Sequence, residues 1–178
     1  SSLLSLHSKT IKNKKIKQIL LENTDRIKSM SLVHQRLYER GNFTEVEFQT
    51  YSSQIVENLI SSYNSGANTC FEINTNENID IDFAITLGLI LNEIVTNTLK
   101  HNLGQKKLKI ELSFVKKNNT YELKVSDNGK GFDIATVQKK NTLGMRLISI
   151  LTKQLEGELQ ITSKKDKGVT YIITISMS

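Results

Sequence analysis

The run Asn92-Glu93-Ile94-Val95-Thr96-Asn97-Thr98-Leu99-Lys100-His101 sets an acid, an amide and cations at helical spacing. Glu93, Asn97 and Lys100 or His101 fall three and four residues apart, so on a helix they share one face while Leu91, Ile94, Val95 and Thr98 cover others. Such a set suits a phosphate ligand carrying magnesium. An amide or carboxylate oxygen fits a hard cation that keeps several waters, a lysine meets phosphate oxygens, and a glutamate orients or deprotonates a nucleophile. The plainer alternative is a solvated helix face laced with salt bridges.

A second group, Ser126-Asp127-Asn128-Gly129-Lys130-Gly131-Phe132, follows an alternating segment that reads as a strand. Glycines on either side of one residue let the backbone approach a flat ligand, and an aspartate at a strand end can accept a hydrogen bond from an exocyclic amine. Alone, a glycine-rich stretch of this kind is more often only a turn. The third group, Thr142-Leu143-Gly144-Met145, precedes a helical pattern, where a glycine and free N-terminal amides can hold phosphate. Between the second and third groups, Phe132 to Asn141 is polar and aperiodic, as a lid over a site would be. Each group is weak by itself; their order and spacing give them force.

The elements that must position these groups follow from periodicity. Asp82, a suitable N-cap, opens an apolar helix through Ala84, Leu87, Leu91 and Val95 to about His101. Cys70 to Thr75 reads as a strand, and Lys107 to Val115 and Thr120 to Val125 alternate as a hairpin joined by Lys116 to Asn119. A helix from about Leu143 to Leu155 and strands Glu158 to Ser163 and Val169 to Ser176 complete the chain. Upstream, a helix is expected from Val46 to Tyr63, closed by Asn64 to Gly66. Before that, Ile16, Leu20, Ile27, Met30, Val33 and Leu37 recur along one stripe of a long helix to about Arg40. With Leu3 to Leu6 and the polar turn around Lys12 to Lys15, that stripe predicts a helical hairpin that completes a bundle by dimerising. The expected fold is α+β: a helical hairpin over residues 1–42, then an α/β sandwich over 43–178.

Composition narrows the function classes. The chain has 178 residues with 38% hydrophobic and 24% charged, close to globular averages and enough for a real core. Net charge is +6 over residues 1–40, −8 over 41–99 and +8 over 100–178. The lysines are scattered and base-stacking aromatics are few, so Lys14, Lys15 and Lys17 read as a solvated face and nucleic acid is not expected as a partner. Cys70 is the only cysteine, which excludes an intrachain disulfide and a thiolate metal cluster and points to a reducing compartment. No continuous apolar run reaches the length of a membrane span, and no signal-peptide pattern opens the chain, so no membrane contact is expected of it.

Taken in this order, Asn92-Glu93 with Asn97 and Lys100-His101 resembles the N box, Asp127-x-Gly129-x-Gly131 the G1 box and Leu143-Gly144-Met145 the G2 box of the Bergerat-fold (GHKL) ATPases, the superfamily of gyrase, Hsp90, histidine kinases and MutL. That resemblance covers residues 80 to 178. Ser1 to Leu6 and Arg26 to Tyr38 resemble the dimerisation module of bacterial sensor histidine kinases, in the HWE or His-Arg-x-Lys-Asn-Asn branch. The resemblance implies ATP and Mg²⁺ as ligands, with Asp127 bonding the adenine amino group, Asn97 coordinating Mg²⁺ and Glu93 positioning or activating the acceptor. It assigns Lys100, His101 and Asn92 to the phosphates, and Gly129, Gly131 and Gly144, with Leu143 and Met145, to the pocket and lid. Where the family's last strand usually begins Gly-Thr, this chain reads Gly168-Val169-Thr170, so the adenine-side hydroxyl is either lost or supplied by Thr170 in a shifted register.

The same resemblance implies γ-phosphoryl transfer to a histidine, relay to an aspartate on a response-regulator receiver domain, a homodimer, and a cytoplasmic location under a parent that can be membrane-anchored. By family spacing the acceptor histidine is expected upstream of Ser1; His7 and His34 lack the surrounding pattern, and His101 belongs to the nucleotide site. On that expectation the chain binds ATP without phosphorylating itself. The rival readings are another Bergerat ATPase, such as a serine kinase acting on an anti-sigma partner, and a degenerate dimeric scaffold.

Overall fold

The computed structural model describes residues 45–63, 69–134 and 143–177, all within the compact unit Thr44–Ser178. The expected helical hairpin, His7, His34, Thr142 and most of the expected lid lie outside the described residues. The elements run β1 (Glu45–Glu47), α1 (Phe48–Ser62), β2 (Thr69–Asn74), β3 (Asn78–Asp80), α2 (Ile81–His101), β4 (Leu108–Lys117), β5 (Thr120–Asp127), α3 (Leu143–Gln154), β6 (Gly157–Ser163) and β7 (Val169–Ser176).

The expected α+β sandwich is present. Five strands lie in the order β2-β4-β5-β7-β6, with β2 parallel to β4 and every other pair antiparallel. A parallel pair needs a crossover between its strands, and α2 supplies it. The β4–β5 hairpin turns at Asn118, whose φ of 53° is the left-handed conformation asparagine tolerates better than most residues. Leu108, Ile110, Leu112 and Phe114 of β4 and Val169, Tyr171, Ile173 and Ile175 of β7 alternate onto one face and are buried. The other face is polar: Lys109 Nζ lies 3.0 Å from Glu72 Oε2 and 2.8 Å from Glu111 Oε1, pairs that hold the Glu111 carboxyl below its usual range and keep Lys109 charged.

α2 is buried on nearly every side, between α1 and α3, which explains why its apolar residues show no single stripe. By length and composition it is also apolar enough to cross a membrane, but it is the central core helix of this unit. Asp80 caps it, accepting from Asp82 N at 2.8 Å and Phe83 N at 3.4 Å, so the N-cap lies two residues before the expected Asp82. The reason is β3: Ile79 and Asp80 pair with Val46 and Glu45, fixing extended backbone up to Asp80 and releasing the helix only after it. The same pairing moves the start of α1 from the expected Val46 to Phe48, whose N–H donates to Glu77 O at 3.0 Å.

Candidate functional site

β5 ends on Asp127 and α2 ends on His101, and side chains join the two ends. One Asp127 carboxylate oxygen, Oδ1, accepts from the Gly129 backbone N–H at 2.8 Å; the other, Oδ2, accepts from the Thr98 hydroxyl at 2.9 Å. Both bonds are charge-assisted, and together they fix the carboxylate plane while leaving lone pairs on each oxygen for an incoming donor. Tyr171 is buried on the same face of the sheet; burial, aided by the Asp127 charge, pushes its phenol up to about 12.

The loop after Asp127 is held from both sides. Toward α2, Lys130 N donates to Asn102 Oδ1 at 2.8 Å, and Asn102 Nδ2 donates to Thr98 O at 2.8 Å. Toward the β6–β7 turn, Phe132 N donates to Ser163 Oγ at 2.8 Å and Asp166 N donates to Lys130 O at 2.6 Å. Gly131 has a φ of 57°, and a Cβ there would overlap the Lys164 and Gly168 carbonyls. Its lack of a side chain therefore admits the neighbouring turn, a reason distinct from close approach to a flat ligand.

Along α2, Asn92 and Glu93 are buried at 4% and 1% exposure, Asn97 and Lys100 are half-buried, and His101 is exposed. The solvated-face alternative fails for Glu93, since a carboxylate is not taken out of water for surface salt bridging. The Asn92 Oδ1 is a buried acceptor without a partner among the described residues, open to a donor from a bound group or water. Among the described residues no cluster of three His, Cys, Asp or Glu side chains exists, so a hard cation at Asn97 would draw its other ligands from phosphate oxygens and water. In the first turn of α3, Leu143 is exposed, Gly144 buried and Met145 half-buried.

The structure does not bring Thr170 to this site. The register is unshifted: Asp127 pairs with Val169, and Thr170 pairs with Ser126. With the two-residue period of a strand, Thr170 lies on the polar face, opposite to Asp127, Val169 and Tyr171. The hydroxyl on the Asp127 carboxylate is that of Thr98, which sequence reasoning read only as a covering position on the helix. Asn102 and Ser163 were also missed. Each is polar and sits at the end of an element facing the glycine loop, a signal too generic to single them out.

Residues 83–178 match the family described as histidine kinase-, DNA gyrase B-, and HSP90-like ATPase, and residues 1–63 match a histidine kinase family. The chain belongs to the histidine kinase-, DNA gyrase B- and HSP90-like ATPase family, and within it to the histidine kinases. A sensor histidine kinase of Mycolicibacterium smegmatis, PdtaS, is 23% identical over 98% of the chain, and the chain spans 36% of that relative's length. DegS of Bacillus subtilis, a signal transduction histidine-protein kinase/phosphatase, is 31% identical over 54% of the chain and 25% of its own length. The fold is also that of solved structures: the histidine kinase domain of the Erythrobacter litoralis EL346 blue-light activated histidine kinase superposes with a TM-score of 0.73 at 18% identity, covering 98% of this chain and 90% of that one. Acinetobacter baumannii histidine kinase AdeS gives 0.62 at 16% identity, covering 99% and 91%.

Proposed function

We propose that this chain is the ATP-binding and dimerisation part of a two-component sensor histidine kinase. The supporting observation is the Asp127 carboxylate, held at the end of β5 by Gly129 N and Thr98 Oγ1 with acceptor capacity to spare, in a chain of the histidine kinase family. Asp127 accepts the exocyclic amine of adenine. Asn97 holds Mg²⁺ by its amide oxygen, Lys100 and His101 meet phosphate oxygens, and the first turn of α3, Leu143 to Met145, closes the phosphate side. A bound magnesium ion supplies neutralisation of phosphate charge. Glu93 orients the acceptor imidazole or takes its proton. In the transfer a P–N bond forms to a histidine of the dimerisation helix, the bond from the γ-phosphorus to the bridging oxygen breaks, and ADP leaves; positioning and charge neutralisation carry most of the catalysis. The phosphoryl group then passes to an aspartate of a receiver domain. The protein works as a homodimer through the helical hairpin, in the cytoplasm, where a lone exposed Cys70 stays reduced.

Val169 opposite Asp127 is the feature that favours a degenerate scaffold, and the Thr98 hydroxyl on the same carboxylate counts against it. Incubating the full-length parent with γ-labelled ATP separates the readings. Acid-labile, alkali-stable label is expected for a phosphohistidine. Acid-stable label points to serine or threonine, and absence of label to the scaffold.

A further inference from the structure

Asn102 lies one residue beyond the helix segment that carries the N-box resemblance, yet it makes the contacts that fasten the adenine-side loop to α2. It is buried at 6% exposure and caps the C-terminus of the helix, its main-chain N–H donating to Thr98 O at 3.2 Å. Its side-chain Nδ2 donates to that same carbonyl at 2.8 Å, and its Oδ1 accepts from Lys130 N at 2.8 Å. A carbonyl needs a donor and an N–H needs an acceptor, so both partners fix the same orientation of the amide. A Cβ on Gly129 would overlap this amide. Together with Thr98 Oγ1 on Asp127 Oδ2 and Gly129 N on Asp127 Oδ1, the contacts close a circuit from Asp127 through Thr98 and Asn102 to the 129–130 backbone and back to Asp127.

We propose that Asn102 is a positioning residue that sets the adenine selectivity of the site by locking the Asp127 loop to the C-terminal turn of α2. This rests on the reading of Asp127 as the adenine acceptor. The role asks for a donor and an acceptor on one short neutral side chain. Alanine has neither, and aspartate keeps the acceptor for Lys130 N but sets an anion against the Thr98 carbonyl. On its other side the loop keeps Ser163 Oγ and the Asp166 N–H, so loss of the Asn102 amide loosens the loop without removing its support. Gly129 in this chain is glycine because Asn102 fills the space a side chain would need.

The test is calorimetric titration of wild type, Asn102→Ala, Asn102→Asp, Gly129→Ala and the Asn102→Ala/Gly129→Ala double variant with ATP and with GTP, beside thermal melts. Wild type is expected to prefer ATP. Asn102→Ala should weaken ATP binding by about tenfold and bring the ATP-to-GTP ratio close to one, whereas a merely structural loss would scale both nucleotides alike. Gly129→Ala should cost much less in the Asn102→Ala background than in wild type. Should Asn102→Ala not fold, Asn102→Asp carries the same expectation for the nucleotide ratio. An unchanged ratio in the folded Asn102 variant, or strictly additive effects of the two substitutions, overturns the proposal while ATP binding that depends on Asp127 leaves the site reading intact. If Asp127→Asn binds ATP like wild type, the site reading fails and takes this proposal with it.

Discussion

Replacing Thr98 with valine removes one hydroxyl while keeping the branched shape, and the structure says what that hydroxyl does. It donates at 2.9 Å to Asp127 Oδ2 from a helix position with 5% exposure. A hydrogen bond to a charged group contributes about 1.5–3 kcal/mol when its loss leaves the partner dry. Asp127 is half-buried, so water takes over part of the bond and the expected loss of stability falls at or below the bottom of that range, about 1–1.5 kcal/mol. At about 2–4 °C per kcal/mol for a chain of this size, the melting temperature should fall by about 2–6 °C. Nucleotide binding suffers separately, because the freed carboxylate must be ordered again at a cost of about 0.5–1.5 kcal/mol, or about twofold to twelvefold in Kd. Differential scanning calorimetry and ATP titration read the two effects, and Thr98→Ser, which restores the hydroxyl, should recover most of both. A Thr98→Val protein with unchanged melting temperature and unchanged ATP affinity would refute the assignment of Thr98 to the Asp127 carboxylate.

Other expectations follow from single contacts. Tyr171, raised from 10.0 to about 12 by burial and then by the Asp127 charge, favours the neutral phenol in the fold. Its stabilisation is complete below pH 10 and is lost as pH rises from 10 through 12, on the order of 2 kcal/mol at about 1.4 kcal/mol per pH unit; urea titrations at pH 9 and 12 should show a smaller drop for Tyr171→Phe. Gly131→Ala forces a side chain into a left-handed conformation against two carbonyls, and unfolding free energy should fall by at least about 1–3 kcal/mol in the same assay. Asn97→Ala should leave ATP binding in the presence of a chelator unchanged and abolish the gain that added Mg²⁺ gives wild type. A matching Mg²⁺ gain in the variant would remove Asn97 from the metal site.

Much of this architecture is legible in the sequence because its strands alternate cleanly over six or more residues and its central helix has no glycine-proline interruption strong enough to end it. The short β1 and β3 are not, since strands of three residues carry too few positions for a period to show. Asp80 and Asp82 are equally good caps on paper; only the pairing of Asp80 with Glu45 decides between them. At the site, residue types and order singled out Asp127 and the glycines that follow it, but the partners of Asp127 and of its loop come from far along the chain. Thr98 is 29 residues before Asp127, and Ser163 is 31 residues after Phe132. Such contacts depend on how β5, β6 and α2 end together in space, which local patterns do not encode. Thr170 illustrates the same limit: its hydroxyl has the right chemistry and the wrong parity, and a one-residue difference along a strand is a difference of face.

The decisive experiment is a calorimetric titration of the chain with ATP and Mg²⁺, run beside Asp127→Asn. The amide variant can keep Gly129 N on its oxygen and turn the Thr98 hydroxyl to accept from its nitrogen, so its melting temperature should stay close to that of wild type. Wild type is expected to show saturable binding at one site, with affinity in the folded variant reduced at least tenfold. Absence of ATP binding by wild type, or equal binding by the two proteins, would contradict the assignment of Asp127 as the adenine acceptor and of this domain as an ATP site.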